Sequence, residues 1–360
     1  MRIRRPQEST QLASVTVVIP CYNYGKYLPQ VVQSVLSQER VDANIIIVDD
    51  ASTDGSLDVA KSLATADSRI TVVAHARNMG HIATYNDGLA RVESEFVTLV
   101  SADDVLSPGA LCRATDLMMA HTRVGLVYGL PVEFHGEKRP PGEPAALTRS
   151  SWTIWPGLEW LRLACLRGRN FIFSPEVVMR TAAMRQIGPY NADLPHSADF
   201  EYWLRTAAGW DVGRINGPAQ AYYRVHGGNM HLTNFSTMQV DLEHRLAAFQ
   251  VLSTPKLVEQ LPDAEGLLQQ ARRGICREAL LLAERTLDSG GPAGIALSFL
   301  EVARCAYPSA AMTFRGRTVH YRLRRALRGE GPAGVQSLVE GCRFQLNRVR
   351  WVAWRKVGIS

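Results

Sequence analysis

From Val15 onward, short apolar runs alternate with stretches of helical period: VTVVIP then YLPQVVQSVLSQ, ANIIIVDD then SLDVAKSLAT, RITVVAH then HIATYNDGLARV, EFVTLVSADD then PGALCRATDLMMAH, and finally VGLVYG. The strand-like runs are continuously apolar rather than alternating, the pattern of strands buried on both faces, so they predict a mostly parallel sheet covered by helices on each side. An α/β, Rossmann-like domain is expected. HGEKRPPGEPAALTRSS (His135 to Ser151) is rich in proline and polar residues and reads as a surface loop. Beyond it, helical stretches such as GLEWLRLACL and DFEYWLRTAAG alternate with short strand candidates, EVVMR and AQAYYRVH. From about Thr237 the pattern is helical almost throughout, broken at Gly290-Gly291-Pro292 and Gly331-Pro332. The expected organisation is therefore a polar N-terminal segment (1–14), a first half (15–134), a loop (135–151), a second half (152–236) and a helical C-terminal region (237–360).

Bulk properties narrow the class. A chain of 360 residues, 46% apolar and 21% charged, has room for about two domains and a substantial core. Its six cysteines contain no CxxC pair, which argues against a zinc knuckle or a disulfide scaffold and suits a reducing, cytoplasmic setting. No apolar stretch is long enough for a membrane span. The net charge of +6 is concentrated at the C-terminus, where nine basic residues face two acidic ones from Tyr321 onward. That asymmetry describes a basic tail rather than a nucleic-acid-binding body, so no nucleic-acid partner is expected.

Four stretches carry chemistry. VVIPCYNYGKYL ends a strand at Pro20 and presents Tyr22 and Asn23 in the turn as candidate substrate contacts, where an aromatic ring could lie against a base or pack on the core. In IIIVDDASTDGS, Ser52, Thr53 and Asp54 suit helix capping, but Asp50 does not need that role. A carboxylate at a strand's carboxyl end can accept the imide N–H of a uracil. SADD places Asp103 and Asp104 directly after a buried strand. They either cap the helix beginning near Pro108 or hold a divalent cation against a diphosphate, since bare carboxylates would repel the phosphates. The fourth stretch is IGPYNADLPHSADFEYWLR.

VVIPCYNYGKYL, IIIVDDASTDGS, RNMGHIATYNDGLA and SADD, in this order, resemble the inverting GT-A glycosyltransferases of family 2, which include polysaccharide and teichoic-acid sugar transferases. The resemblance runs from about Val15 to His231. It implies a GT-A fold followed here by a helical region, a nucleotide-sugar donor, most often UDP-linked, a glycan or lipid-linked acceptor, and Mn²⁺ or Mg²⁺ as cofactor. By position, Asp104 matches the metal ligand, Asp103 the acid nearer the ribose or sugar, Asp50 the uracil contact and Tyr22 the aromatic near the base. Pro20 would add a backbone contact, and Asn78, Gly80 and Asn86 fall where the donor pocket is lined, whereas His81 and Tyr85 could equally pack.

Asp199 matches the family's catalytic base, which takes the acceptor hydroxyl's proton as that oxygen attacks the anomeric carbon. Ala198 departs from the usual Glu, and Glu201 is the competing base, although on a helix it projects away from Asp199. An N-cap role for Asp199 is the plain alternative. AYYRVHGGN resembles the family's YR-x-H element, implying His226 in the metal shell and Arg224 on phosphate, with His231 an outside candidate. Trp203 and Arg205 either support the acceptor side or pack the helix. A non-catalytic donor-binding or scaffold subunit is the competing function. A nucleotidyltransferase or dehydrogenase is disfavoured, because no Gly-rich phosphate loop follows VTVVIP. RFQLNRVRWVAWRKVG mixes arginines with apolar residues, a composition that suits either an anionic membrane surface or packing on a partner. Oligomeric state is left open.

Overall fold

A computed structural model describes residues 1–136, 150–227 and 237–329. His231, most of the Pro-rich loop and the RFQLNRVRWVAWRKVG segment lie outside the described residues. The chain divides into two compact units, Met1–Trp160 with Ile172–Thr233, and Leu161–Phe171 with Asn234–Ser360.

The first unit is built on one mixed sheet. Its strands are β1 (Arg2–Arg4), β2 (Ala13–Cys21), β3 (Val41–Asp49), β4 (Ile70–Ala74), β5 (Phe96–Leu99), β6 (Val105–Leu106), β7 (Val124–His135), β8 (Ser151–Trp155), β9 (Val178–Arg180) and β10 (Asp211–Val225). Their order is β1-β8-β10-β7-β9-β5-β2-β3-β4, with β6 against β10. β2, β3, β4 and β5 are parallel, as the apolar runs predict. The expectation of a mostly parallel sheet stops there. β9 is antiparallel to both β5 and β7, and β8 is antiparallel to β10 and β1, so parallel pairing returns only between β7 and β10. The N-terminal segment, read as plain polar chain, contributes β1 and the first residues of β2.

Helices α1 (Leu28–Leu36), α2 (Ser56–Ala66), α3 (His81–Ala90), α4 (Ala110–Ala120), α5 (Gly157–Arg167), α6 (Thr181–Ile187) and α7 (Ala198–Gly209) connect these strands. α1 shows why: Pro29 sits in its first turn and Leu28, Val31, Val32 and Val35 recur at helical spacing and are buried. Burying that stripe of four side chains contributes several kcal/mol, at about 1.5–3 kcal/mol each relative to exposure.

The second unit is helical: α8 (Met238–Phe249), α9 (Pro255–Gln260), α10 (Ala264–Asp288), α11 (Ala293–Ala306) and α12 (Phe314–Leu327). It also claims residues 161–171, which the sequence pattern assigns to the preceding half. Gly168, at a φ of +64°, approaches α10 so closely that a Cβ there would lie 2.7 Å from the Ile275 nitrogen, a position only glycine occupies without strain. Arg245 and Arg277 then donate to the carbonyls of Gly168 and Leu166. Among the described residues, no helix is long and apolar enough to cross a membrane. The five described cysteines are unpaired thiols.

Candidate active site

The candidate residues gather at the carboxyl ends of β2, β3 and β5 and around the end of β10. The loops after β2 and β3 are sewn together: Asn23 donates its N–H to Ser52 Oγ (3.0 Å), and its side-chain oxygen accepts from the Thr53 N–H (2.8 Å). Asn23, expected to touch donor, is thus occupied in holding two loops. Tyr22 beside it is 44% exposed, and Pro20 pairs with Val48 within the sheet. Asp54 accepts from the Ser56 N–H and hydroxyl, but the N-cap of α2 is Gly55, so none of Ser52, Thr53 and Asp54 occupies the N-cap position.

Asp50 is buried at the centre of a tight cradle. Its Oδ1 accepts from the Met79 N–H (2.7 Å) and lies 2.8 Å from His75 Nδ1, while Oδ2 accepts from the Gly80 N–H (2.9 Å). Burial alone would raise this carboxyl, but His75 and the two backbone donors hold it below the usual carboxylate range. Gly80, at φ +84°, takes the backbone conformation that turns its N–H inward, and Asn78 accepts from that same N–H at 3.0 Å. His75 also reaches Asp87 (3.3 Å), which pairs with Arg91.

The SADD acids meet the end of β10. Asp104 Oδ1 accepts from the Arg224 N–H (2.9 Å), and His226 Nε2 lies 2.9 Å from Asp103 Oδ2. Neither acid caps α4, which begins at Ala110 behind Gly109. Burial and the neighbouring Asp103 charge push the Asp104 carboxyl well above its ordinary value. The Arg224 guanidinium, expected to meet phosphate, is buried instead. It donates to the carbonyls of Asp103 (2.7 Å) and Gly136 and to Gln30, and stacks between the rings of Tyr27 and Phe134. His226 packs against Tyr24 and Tyr27.

Asp199 lies in the first turn of α7, whose N-cap is Ser197. Its carboxylate serves no cap. Oδ2 accepts from the Ser174 hydroxyl, and Oδ1 is buried with no hydrogen-bond partner. Burial raises this carboxyl above its ordinary value, partly opposed by hydrogen bonds from Ser174 and Tyr190 and by His81. The surrounding aromatics are ordered: Tyr190 stacks on Tyr202 (4.0 Å, 7°) and meets Tyr85 edge-on, which in turn meets His81.

Glu201 accepts from Nε and Nη2 of Arg205, each at 2.8 Å, and Arg205 also donates to the carbonyls of Ile187 and Pro189. That geometry leaves neither Glu201 as a base nor Arg205 as a substrate contact. Trp203 is buried in an apolar cavity with Leu89, Leu99 and Met179, so it packs the helix. Asn86, expected in the donor pocket, hydrogen-bonds the backbone of Tyr190. Sequence reasoning missed His75, Ser174 and Tyr190 altogether. A histidine between strand and motif, and a serine in a short turn, carry no spacing signal.

Residues 16–178 match the model of glycosyl transferase family 2. An uncharacterized glycosyltransferase of Nostoc sp. is 31% identical over 232 residues, covering 61% of this chain and 67% of that protein. The chain belongs to glycosyl transferase family 2. This glycosyltransferase is also 35% identical over 105 residues to TuaG of Bacillus subtilis, a putative teichuronic acid biosynthesis enzyme, covering 29% of this chain and 42% of TuaG. Its fold is shared with Staphylococcus aureus TarS in complex with UDP-GlcNAc (TM-score 0.57, 16% identity, 88% of this chain and 92% of that one). The mannosyltransferase PcManGT from Pyrobaculum calidifontis, in complex with GDP-Man and Mn²⁺, is similar at TM-score 0.51 and 18% identity, covering 90% and 89%. The GT-A fold expected from the motifs is therefore present, and the protein is a transferase.

For a divalent cation, Asp103, Asp104 and His226 offer hard oxygen and imidazole donors. The crowding that raises Asp104 is what such a cation would relieve. Among the described residues, no three His, Cys, Asp or Glu side chains are grouped to hold a metal by themselves. The donor set fits a cation that completes its shell with phosphate oxygens.

Proposed function

We propose that this glycosyltransferase moves a sugar with inversion from a nucleotide-sugar, a UDP-sugar in our reading, to a hydroxyl of a glycan, polymer or lipid-linked acceptor. The arrangement around Tyr85 carries the proposal. Its phenol is pushed upward by burial and then by the charges of Asp199, Asp103 and Asp104, so all three carboxylates lie within electrostatic reach of one ring, which supports placing the acid pair and the base around a common donor.

Asp199 is the base. Burial makes its carboxylate a stronger base than an ordinary one, and its Oδ1 has no hydrogen-bond partner while Ser174 secures Oδ2. The acceptor oxygen attacks the anomeric carbon, its proton passes to Asp199 Oδ1, and the nucleoside diphosphate departs on the opposite side. A divalent cation held by Asp104 with His226 would neutralise the charge building on that diphosphate.

Asp50 reads the base. Three of the roughly four lone-pair positions of its carboxylate are taken by His75, Met79 and Gly80, which leaves one on Oδ2 for a uracil imide N–H. Tyr22, by its exposure, supplies the stacking surface.

The fold relatives hold UDP-GlcNAc in one case and GDP-Man with Mn²⁺ in the other, so the test offers UDP-, GDP- and dTDP-sugars with Mn²⁺ and follows nucleotide release and the anomeric configuration of any product by NMR. Release from a UDP-sugar and an inverted product are expected. Retained configuration, or indifference to every activated sugar, would overturn the proposal.

A further inference from the structure

The last described helix of the second unit, α12, carries an exposed face of arginine and apolar residues. On α12, Phe314, Arg317, Tyr321, Arg324 and, at its C-cap, Arg328 recur at spacings of three and four, and all are exposed, so they form one stripe along the helix. Met312 just before it, Phe314, Tyr321 and Leu327 are 71%, 85%, 63% and 62% exposed. The opposite face holds the helix to its unit through Val319 and Leu323, both buried. Four large apolar side chains in sixteen residues of surface is more than scattered exposure accounts for.

The charge around the stripe has one sign. From Val302 to Gly329 there are seven arginines and no acidic residue. Two of the seven are neutralised within the unit, Arg315 by Glu284 and Arg322 by Asp288, both on α10. Arg317, Arg324 and Arg328 remain on the exposed face, and the sequence that follows adds further arginines with Trp351 and Trp354.

We propose that this face of α12 docks on an anionic lipid surface, with Met312, Phe314 and Tyr321 entering the headgroup–acyl boundary and the three arginines on lipid phosphates. The mixture separates lipid from nucleic acid. Met312, an unbranched thioether chain, has no stacking ring for a base but inserts readily among acyl chains, and Tyr321 has the amphipathic ring that favours the interface. Arginine suits the headgroup, because its planar fork pairs with phosphate oxygens. This inference stands apart from the reaction proposed above, since it uses no residue of the donor or base site.

The test is flotation of the purified full chain with phosphatidylcholine vesicles, with and without phosphatidylglycerol, at low and high salt. The chain is expected to float with the phosphatidylglycerol vesicles only, and to be released by salt. Arg317→Gln, Arg324→Gln and Arg328→Gln should each weaken binding about fivefold, and the triple variant about a hundredfold. Phe314→Ser with Tyr321→Ser should also weaken it while leaving the salt dependence in place. All five positions are exposed, and an unchanged unfolding midpoint confirms that the variants are folded. Equal flotation by the triple variant, binding to neutral vesicles, or binding to single-stranded RNA with no flotation would overturn the proposal. So would a dimer that Phe314→Ser splits in the absence of any vesicle binding.

Discussion

Asn86 grips the backbone of Tyr190, its amide nitrogen donating to the Tyr190 carbonyl at 3.0 Å and its oxygen accepting the Tyr190 N–H at 2.8 Å. A residue of α3 thereby fixes the segment that leads into α7 and carries the phenol hydrogen-bonded to Asp199. Asn86→Ala leaves both backbone groups without their partner, at a cost of about 1–3 kcal/mol for the pair. Urea unfolding should register that loss, and kcat should fall while donor KM stays near its original value.

Ser174→Ala tests how the base is held. The Ser174 hydroxyl favours the ionised form of Asp199, so its removal lets burial raise the carboxyl further. The base must be deprotonated to act, so the acid limb of the kcat profile should move to higher pH. A pH–rate series on the variant measures it, with the acid limb displaced upward from that of the parent and activity regained as pH rises.

Arg205→Ala is a stability variant. Removing the guanidinium strands Glu201, which is 3% exposed, as a buried charge. Losing one partner of such a pair costs about 3–5 kcal/mol. Thermal denaturation should show the drop, and donor affinity of the folded fraction should match the parent.

His75 makes donor binding pH-dependent. Burial lowers its pKa, but Asp50 and Asp87 more than compensate and raise it above the ordinary histidine value. The protonated bridge therefore contributes fully at and below the ordinary histidine range and is lost as pH rises through the raised value. Asp50, held low, contributes above the ordinary carboxylate range and is lost as pH falls through its depressed value. Donor Kd should be tightest between those limits. In His75→Gln the alkaline weakening should vanish, and affinity at neutral pH should drop about tenfold, the worth of one charge-assisted hydrogen bond. Isothermal titration across pH reads both.

The sequence made the scaffold legible where one local rule sufficed. Continuous apolar runs gave β2, β3 and β5, and helical spacing gave α1, because those patterns depend only on near neighbours. The order of motifs singled out Asp50, Asp103, Asp104, Asp199 and His226 through the family resemblance, and the fold sets Asp50 directly after β3 and Asp103 and Asp104 just beyond β5. It did not reveal which polar side chains the fold would consume. Arg224, Arg205, Asn23 and Asn86 carry the right functional groups for substrate, yet each is spent on the protein's own backbone or on another side chain. Asn86 and Tyr190 are 104 positions apart, and Arg224 and Asp103 are 121; no periodicity reports pairings at that range. The same holds for Ser174 against Asp199.

The central claim is that Asp199 removes the acceptor's proton. Steady-state transfer by Asp199→Asn, with donor Kd measured on the same preparation, tests it directly, because the amide keeps the shape and can still bond Ser174 but cannot act as a base. A kcat lower by about a hundredfold or more is expected, with donor Kd unchanged. A kcat within a few-fold of the parent would contradict it.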